Sequence, residues 1–124
     1  MLNTFAVTSA DGYLKLFDFH KGTMQFCFRS YFAGFLSLAW SWDGKFIVTA
    51  GEDDSVNMWD IDNQRLVFRG EAHNSWASVV AFDPLVTPSQ TNFYRFFSGG
   101  HDGKLIVWEI SPEHQSVTYN RRPS

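Results

Sequence analysis

Gly51-Glu52-Asp53-Asp54-Ser55-Val56-Asn57-Met58-Trp59-Asp60 is an acidic turn that runs straight into a short alternating segment ending in Trp-Asp. The layout recurs downstream as Gly100-His101-Asp102-Gly103-Lys104-Leu105-Ile106-Val107-Trp108-Glu109. It also occurs upstream as Ser9-Ala10-Asp11-Gly12-Tyr13-Leu14-Lys15-Leu16-Phe17-Asp18, with Phe in the place of Trp. In each copy the turn aspartate stands six positions before the aromatic: Asp11 and Phe17, Asp53 and Trp59, Asp102 and Trp108. The aspartates are 42 and then 49 positions apart, the period of a repeat that holds about four short strands and their turns.

Outward from these copies, alternating or β-branched runs bounded by turn residues read as strands. Residues 3–8 and 13–19 flank the turn at Ser9 to Gly12, with Leu14 and Leu16 on one face and Tyr13, Lys15 and Phe17 on the other; 24–29 follows as an outer strand. Runs 35–40 and 46–50 are joined by Ser41-Trp42-Asp43-Gly44-Lys45, and Asp-Gly between apolar runs is a strong hairpin signal. Runs 55–61 and 65–69 complete a set of four. Runs 77–82, 94–98 and 104–110 repeat its first three strands, and 117–120 is a candidate fourth that Pro123 soon stops. Phe82 to Ser98 is 16 positions where Trp40 to Thr49 is 9, so extra residues fall at 85–92, which reads as a mobile loop.

The fold expected is all-β: a partial β-propeller of four-stranded antiparallel blades, about two and a half of them, with the ring not closed. Residues 1–110 form the repeat segment of a larger propeller, and 111–124 a tail or the stub of the next strand. At 124 residues the chain is too short for a ring of its own, so further blades, other copies or partners are expected at its open edges. A composition of 44% hydrophobic, 18% aromatic and 19% charged residues suits a packed β protein and excludes a disordered one. The 13 Phe and 5 Trp are enough to leave some on exposed faces of an incomplete ring.

A formal charge of −3 gives no electrostatic footprint for nucleic acid, and Arg121-Arg122 reads as a solvated tail or the stub of the next strand. Cys27, the single cysteine, permits neither an intrachain disulfide nor a zinc cluster. No basic-then-apolar leader opens the sequence, and its most apolar run, 35–40, is far below the roughly 20 residues of a membrane span. The setting expected is reducing and intracellular, cytoplasmic with the nucleus as a second compartment. No cofactor is called for, and Asp53-Asp54 lacks the further ligand spacing of a metal site.

Superposing the two better repeats on their Trp brings His73, Ser98, Asp102 and Trp108 into one set, and Thr49, Asp53 and Trp59 into another. In the second set the position of the histidine, nine before the strand aromatic, holds Tyr31. A buried Asp and a buried indole N–H each need a partner, which such a set supplies. The same residue types also compose a Ser-His-Asp hydrolase, but no strained nucleophile elbow or Gly-rich oxyanion loop accompanies Ser98. Tyr31-Phe32 and the stretch from His73 to Trp76 lie in the loops between one blade's outer strand and the next blade's inner strand. The acidic turns open on the same rim. Tyr31, Phe32 and Trp76 are therefore candidate anchors for a protein partner, with packing between blades as the alternative for Phe32 and Trp76. Trp42 lies on the opposite rim.

The pattern resembles WD40-repeat blades, in which such a set forms a hydrogen-bonded tetrad. Two segments resemble one family in particular, that of WD repeat-containing protein 20, the dystrophia myotonica WD-repeat protein and fungal CreC. They are Ser30-Tyr31-Phe32-Ala33-Gly34, followed by residues 39–54, and His73-Asn74-Ser75-Trp76-Ala77-Ser78-Val79-Val80-Ala81-Phe82-Asp83-Pro84. The resemblance covers about residues 12–110 and implies a non-catalytic propeller that binds and activates a ubiquitin-specific protease, often with a second WD-repeat protein. It places Phe32 and Trp76 in the loops that meet the protease; the insertion after Pro84 is shorter here than is usual in the family. The competing expectation is a general WD-repeat adaptor, such as a ubiquitin-ligase substrate receptor or a trafficking subunit.

Overall fold

The computed structural model describes residues 4–29, 34–86, 93–112 and, for the backbone alone, 116–123. Eleven strands lie in these residues, in three sheets of consecutive antiparallel strands. The first sheet holds β1 (Thr4–Thr8), β2 (Tyr13–Asp18) and β3 (Thr23–Arg29). The second holds β4 (Phe35–Trp40), β5 (Phe46–Gly51), β6 (Val56–Asp60) and β7 (Arg65–Gly70). The third holds β8 (Ala77–Phe82), β9 (Tyr94–Gly100), β10 (Lys104–Ser111) and β11 (Ser116–Pro123).

The architecture is all-β, an open ring of propeller blades that does not close on itself. The first blade has three strands, with no counterpart of β4 or β8 among the described residues. Sequence reading stops the last strand near residue 120, whereas β11 continues to Pro123, which pairs with Lys104. Proline is tolerated there because β11 is an edge strand. The loop expected to be mobile, 85–92, falls largely outside the described residues, as does the connection at 30–33.

Alternation along the strands sends side chains to both faces, and the stacking of sheets decides which faces are dry. In the second sheet both are: every residue of β5 and β6 is buried. Ile47 and Trp59 face the first sheet, where they join Leu14, Leu16 and Phe35 in one core. Phe46, Val48, Ala50, Val56 and Met58 face the third sheet and pack with Phe96, Ile106, Trp108 and Ile110. Fully burying one such side chain contributes about 1.5–3 kcal/mol, so the two junctions carry most of the hydrophobic stabilisation. Each junction also sets the blade's indole against an aromatic of the preceding sheet, Trp59 on Phe28 at 4.6 Å and Trp108 on Phe68 at 5.4 Å between ring centroids.

Polar contacts hold the sheets in register at their ends. Ser41 accepts and donates across its hairpin, with Ser41 N to the Phe46 carbonyl at 2.9 Å and Phe46 N to Ser41 Oγ at 3.0 Å. Gly44 takes a φ of 74° there, which side chains disfavour. At the opposite end, Phe35 N donates to the Ser9 carbonyl at 3.1 Å, tying the first blade to the second, and Glu52 N donates to the Gly34 carbonyl at 3.0 Å within the second.

Candidate partner-binding rim and the relay beneath it

Antiparallel pairing alternates the connections between two rims. One rim carries the turns at Ser9 to Gly12, Glu52 to Asp54 and His101 to Gly103, together with the loop from Glu71 to Trp76. Beneath it, in the third blade, four side chains form a continuous chain. Trp108 Nε1 donates to Ser98 Oγ at 2.8 Å, Ser98 Oγ lies 2.8 Å from His73 Nε2, and His73 Nδ1 lies 3.2 Å from both oxygens of Asp102. With the ring proton on Nδ1, every hydrogen in the chain has one acceptor: indole to hydroxyl, hydroxyl to imidazole, imidazole to carboxylate. Asn74 N and Lys104 N add bonds to the carboxylate at 2.8 and 3.1 Å. Burial alone raises the Asp102 pKa; these two N–H groups and the imidazole outweigh it and hold the carboxyl at about 2.

Glycine precedes this turn for a local reason. A Cβ on Gly100 would lie 2.6 Å from His73 Nδ1 and 2.8 Å from Asp102 Oδ1. The Ser98, His73 and Asp102 contacts have the connectivity of a hydrolase triad, yet Ser98 is 1% exposed and its oxygen is already bonded to Trp108. The arrangement satisfies buried polar atoms and offers no path for a substrate to the hydroxyl.

In the second blade the described residues show part of such a chain. Trp59 Nε1 donates to Thr49 Oγ1 at 2.9 Å, but Asp53 turns elsewhere. Its Oδ1 accepts from Ser55 N at 3.2 Å and Ser55 Oγ at 2.6 Å, and its Oδ2 faces Arg69 Nη2 at 3.1 Å. Arg69, Ser55 and the buried Asn57 thus belong to this site, although the repeat pattern does not single them out. Only a charge two positions before the closing Glu71 of β7's exit could have marked Arg69. In the first blade Ser9 Oγ caps Asp11.

Trp76 stands on the rim itself. It is 44% exposed, and its ring lies 5.4 Å from that of His101, tilted by 42°. Tyr31 and Phe32, its expected companions, lie outside the described residues. Trp42 is 53% exposed on the opposite rim. There an open groove of ≈ 650 Å³ runs between the first and second blades, lined by Phe26, Trp40, Lys45, Ile61 and Asp62 among others. Asp43 is held nearby: burial raises its pKa, but the hydroxyls of Ser41 and Tyr94 (each 2.6 Å) and Lys45 N bring it below the ordinary carboxylate value. The Tyr94 bond spans from the third blade to the hairpin of the second, a contact that no local pattern signals. Among the described residues no group of His, Cys, Asp and Glu gathers to hold a metal, and no helix is long and apolar enough to cross a membrane.

Stacked four-stranded sheets whose turn aspartates and strand indoles are spaced in this way define a WD-repeat β-propeller chain. Residues 23–60 match the family model described as WD domain, G-beta repeat. A solved structure, described as that of U3-55K, superposes with a TM-score of 0.78 over 96% of this chain and 36% of its own, at 17% sequence identity, a likeness of fold. More particularly, the chain is a WD-repeat protein related to WD repeat-containing protein 20 homolog of Caenorhabditis elegans, to which it is 42% identical over 85 residues. That stretch is 68% of this chain and 11% of the length of the relative.

Proposed function

We propose that the chain is a non-catalytic interaction scaffold that binds and activates a ubiquitin-specific protease through the rim bearing Trp76, with Phe32 as a second contact residue on the strength of the sequence. The observation that carries the reading is the half-exposed indole of Trp76, standing beside the His101 ring on the rim. A large aromatic free of the core is the kind of residue that dominates protein interfaces. The resemblance of the stretches around Phe32 and Trp76 to the protease-activating family supports the choice of partner, with a second WD-repeat protein as a further member of the complex and the cytoplasm or nucleus as its place.

The test is affinity purification followed by an assay of ubiquitin cleavage. The expected outcome is recovery of a ubiquitin-specific protease whose rate rises when this chain is added, and loss of recovery with Phe32→Ala combined with Trp76→Ala. Undiminished recovery by the double variant removes those residues from the contact. Recovery of ubiquitin-ligase or trafficking subunits in place of a protease moves the chain to the general adaptor class. A serine-reactive probe should leave Ser98 unlabelled.

A further inference from the structure

The loop that carries Trp76 is fastened to the turn of the third blade at several points. The Trp76 carbonyl accepts from His101 N at 2.9 Å, and its ring lies 5.4 Å from the His101 ring. Earlier in the loop, Asn74 N donates to Asp102 Oδ2 at 2.8 Å, and His73 meets both oxygens of the same carboxylate at 3.2 Å. Asp102 also accepts from Lys104 N at 3.1 Å, so one side chain ties the loop after β7 to the turn bearing His101 and to the first residue of β10. The fit is close. A Cβ on Gly100 would lie 3.0 Å from the Trp76 carbonyl oxygen, besides meeting His73 and Asp102.

The second blade takes these fastenings apart. Its backbone bond is the same, Glu52 N to the Gly34 carbonyl at 3.0 Å, but Gly34, six positions before Trp40 as Trp76 is before Phe82, has no side chain to present. The described partners of Asp53, the turn aspartate there, are Ser55 and Arg69. The backbone bond thus joins loop to turn in both blades, and the bond from the turn carboxylate to the loop N–H belongs to the blade whose loop carries an exposed indole. An anchor held in its bound pose before a partner arrives loses less freedom on binding, which strengthens the complex.

We propose that Asp102 is a positioning residue for the partner contact: its carboxylate holds the stretch from His73 to Trp76 against the His101 turn, so that the Trp76 and His101 rings meet a partner as one preformed surface. This rests on the reading of the Trp76 rim as the partner site. Asp102 is itself shielded, its side chain 6% exposed, and acts through its neighbours.

Asp102→Asn keeps the shape of the side chain but leaves one acceptor oxygen for three donors. Hydrogen exchange at the His101 amide, which bonds Trp76 and not Asp102, reads the loop without a partner. Its protection should fall about tenfold further than that of the β9 amides. In Tyr94→Phe, which loses a bond on the opposite rim, the two should fall together. The protease recovered with the wild-type chain should bind Asp102→Asn about tenfold more weakly, and Tyr94→Phe as well as the wild type, at a temperature where both are folded. Gly100→Ala, whose Cβ would press the loop off the turn, takes the place of Asp102→Asn if that variant does not fold. An unchanged ratio at His101, or a loosened loop with full affinity, overturns the proposal. If Trp76→Ala binds like the wild type, or no protease is recovered, the rim reading falls and the positioning role with it, whatever the exchange shows.

Discussion

His73 sits where three elements meet: the loop after β7, the turn before β10 and the hydroxyl of β9. Replacing it by alanine leaves the Asp102 carboxylate and the Ser98 hydroxyl each short of a buried partner. His73→Ala should therefore lower stability by about 1–3 kcal/mol, read as a shifted urea midpoint with an unchanged slope. Asp102 also gives the fold an acid limit. Its folded pKa of about 2 lies below that of an unfolded aspartate, about 3.9. Its contribution is complete above the unfolded value and is lost as pH falls from about 4 towards 2. Thermal melts should show that loss over this window in the parent chain, and Asp102→Asn should remove that part of the slope. This set of four was legible in the sequence because two repeats could be laid over each other. The Arg69 contact to Asp53 was not, since its partner depends on how the end of β7 folds back over the turn.

At the scale of the turn, the three copies that looked alike differ in backbone. Gly12 and Gly103 take φ of 90° and 75°, and Asp54, at the corresponding place in the second copy, is held at 66° without the freedom of glycine. An L-residue there costs about 1–2 kcal/mol, less for Asp than for most, while glycine costs about 0.5–1 kcal/mol in chain entropy. Asp54→Gly should accordingly be neutral or stabilising by up to about 0.5 kcal/mol, and Asp54→Val destabilising by about 1–2 kcal/mol. Paired denaturation curves of the two variants check both signs. Strand positions were legible from alternation and turn residues alone. The length of β11 was not, because a proline ends a strand in the middle of a sheet but not on its edge.

Across the whole molecule, stability resides in the junctions, and polar contacts reach across the second of them, that of Tyr94 with Asp43 at 2.6 Å and that of Val80 N with Ser37 Oγ at 3.4 Å. Tyr94→Phe keeps the ring packed on Phe46 and removes only the hydroxyl that donates to the ionised Asp43. The expected loss is about 1.5–3 kcal/mol, measurable as a lower melting temperature with the same far-ultraviolet spectrum. Periodicity in the sequence announced blades, yet it carried no sign of which faces would be dry, because that depends on neighbours and not on the strand itself. The second sheet shows what this means for synthesis. Its four strands are consecutive, so its backbone pairing is complete as soon as its own segment has left the ribosome, while Val48, Val56 and Met58 stay wet until the third blade follows. Translation adds about 5–20 residues per second, so every chain passes through seconds in which a finished sheet carries a bare apolar face. That interval is when a chaperone has something to hold.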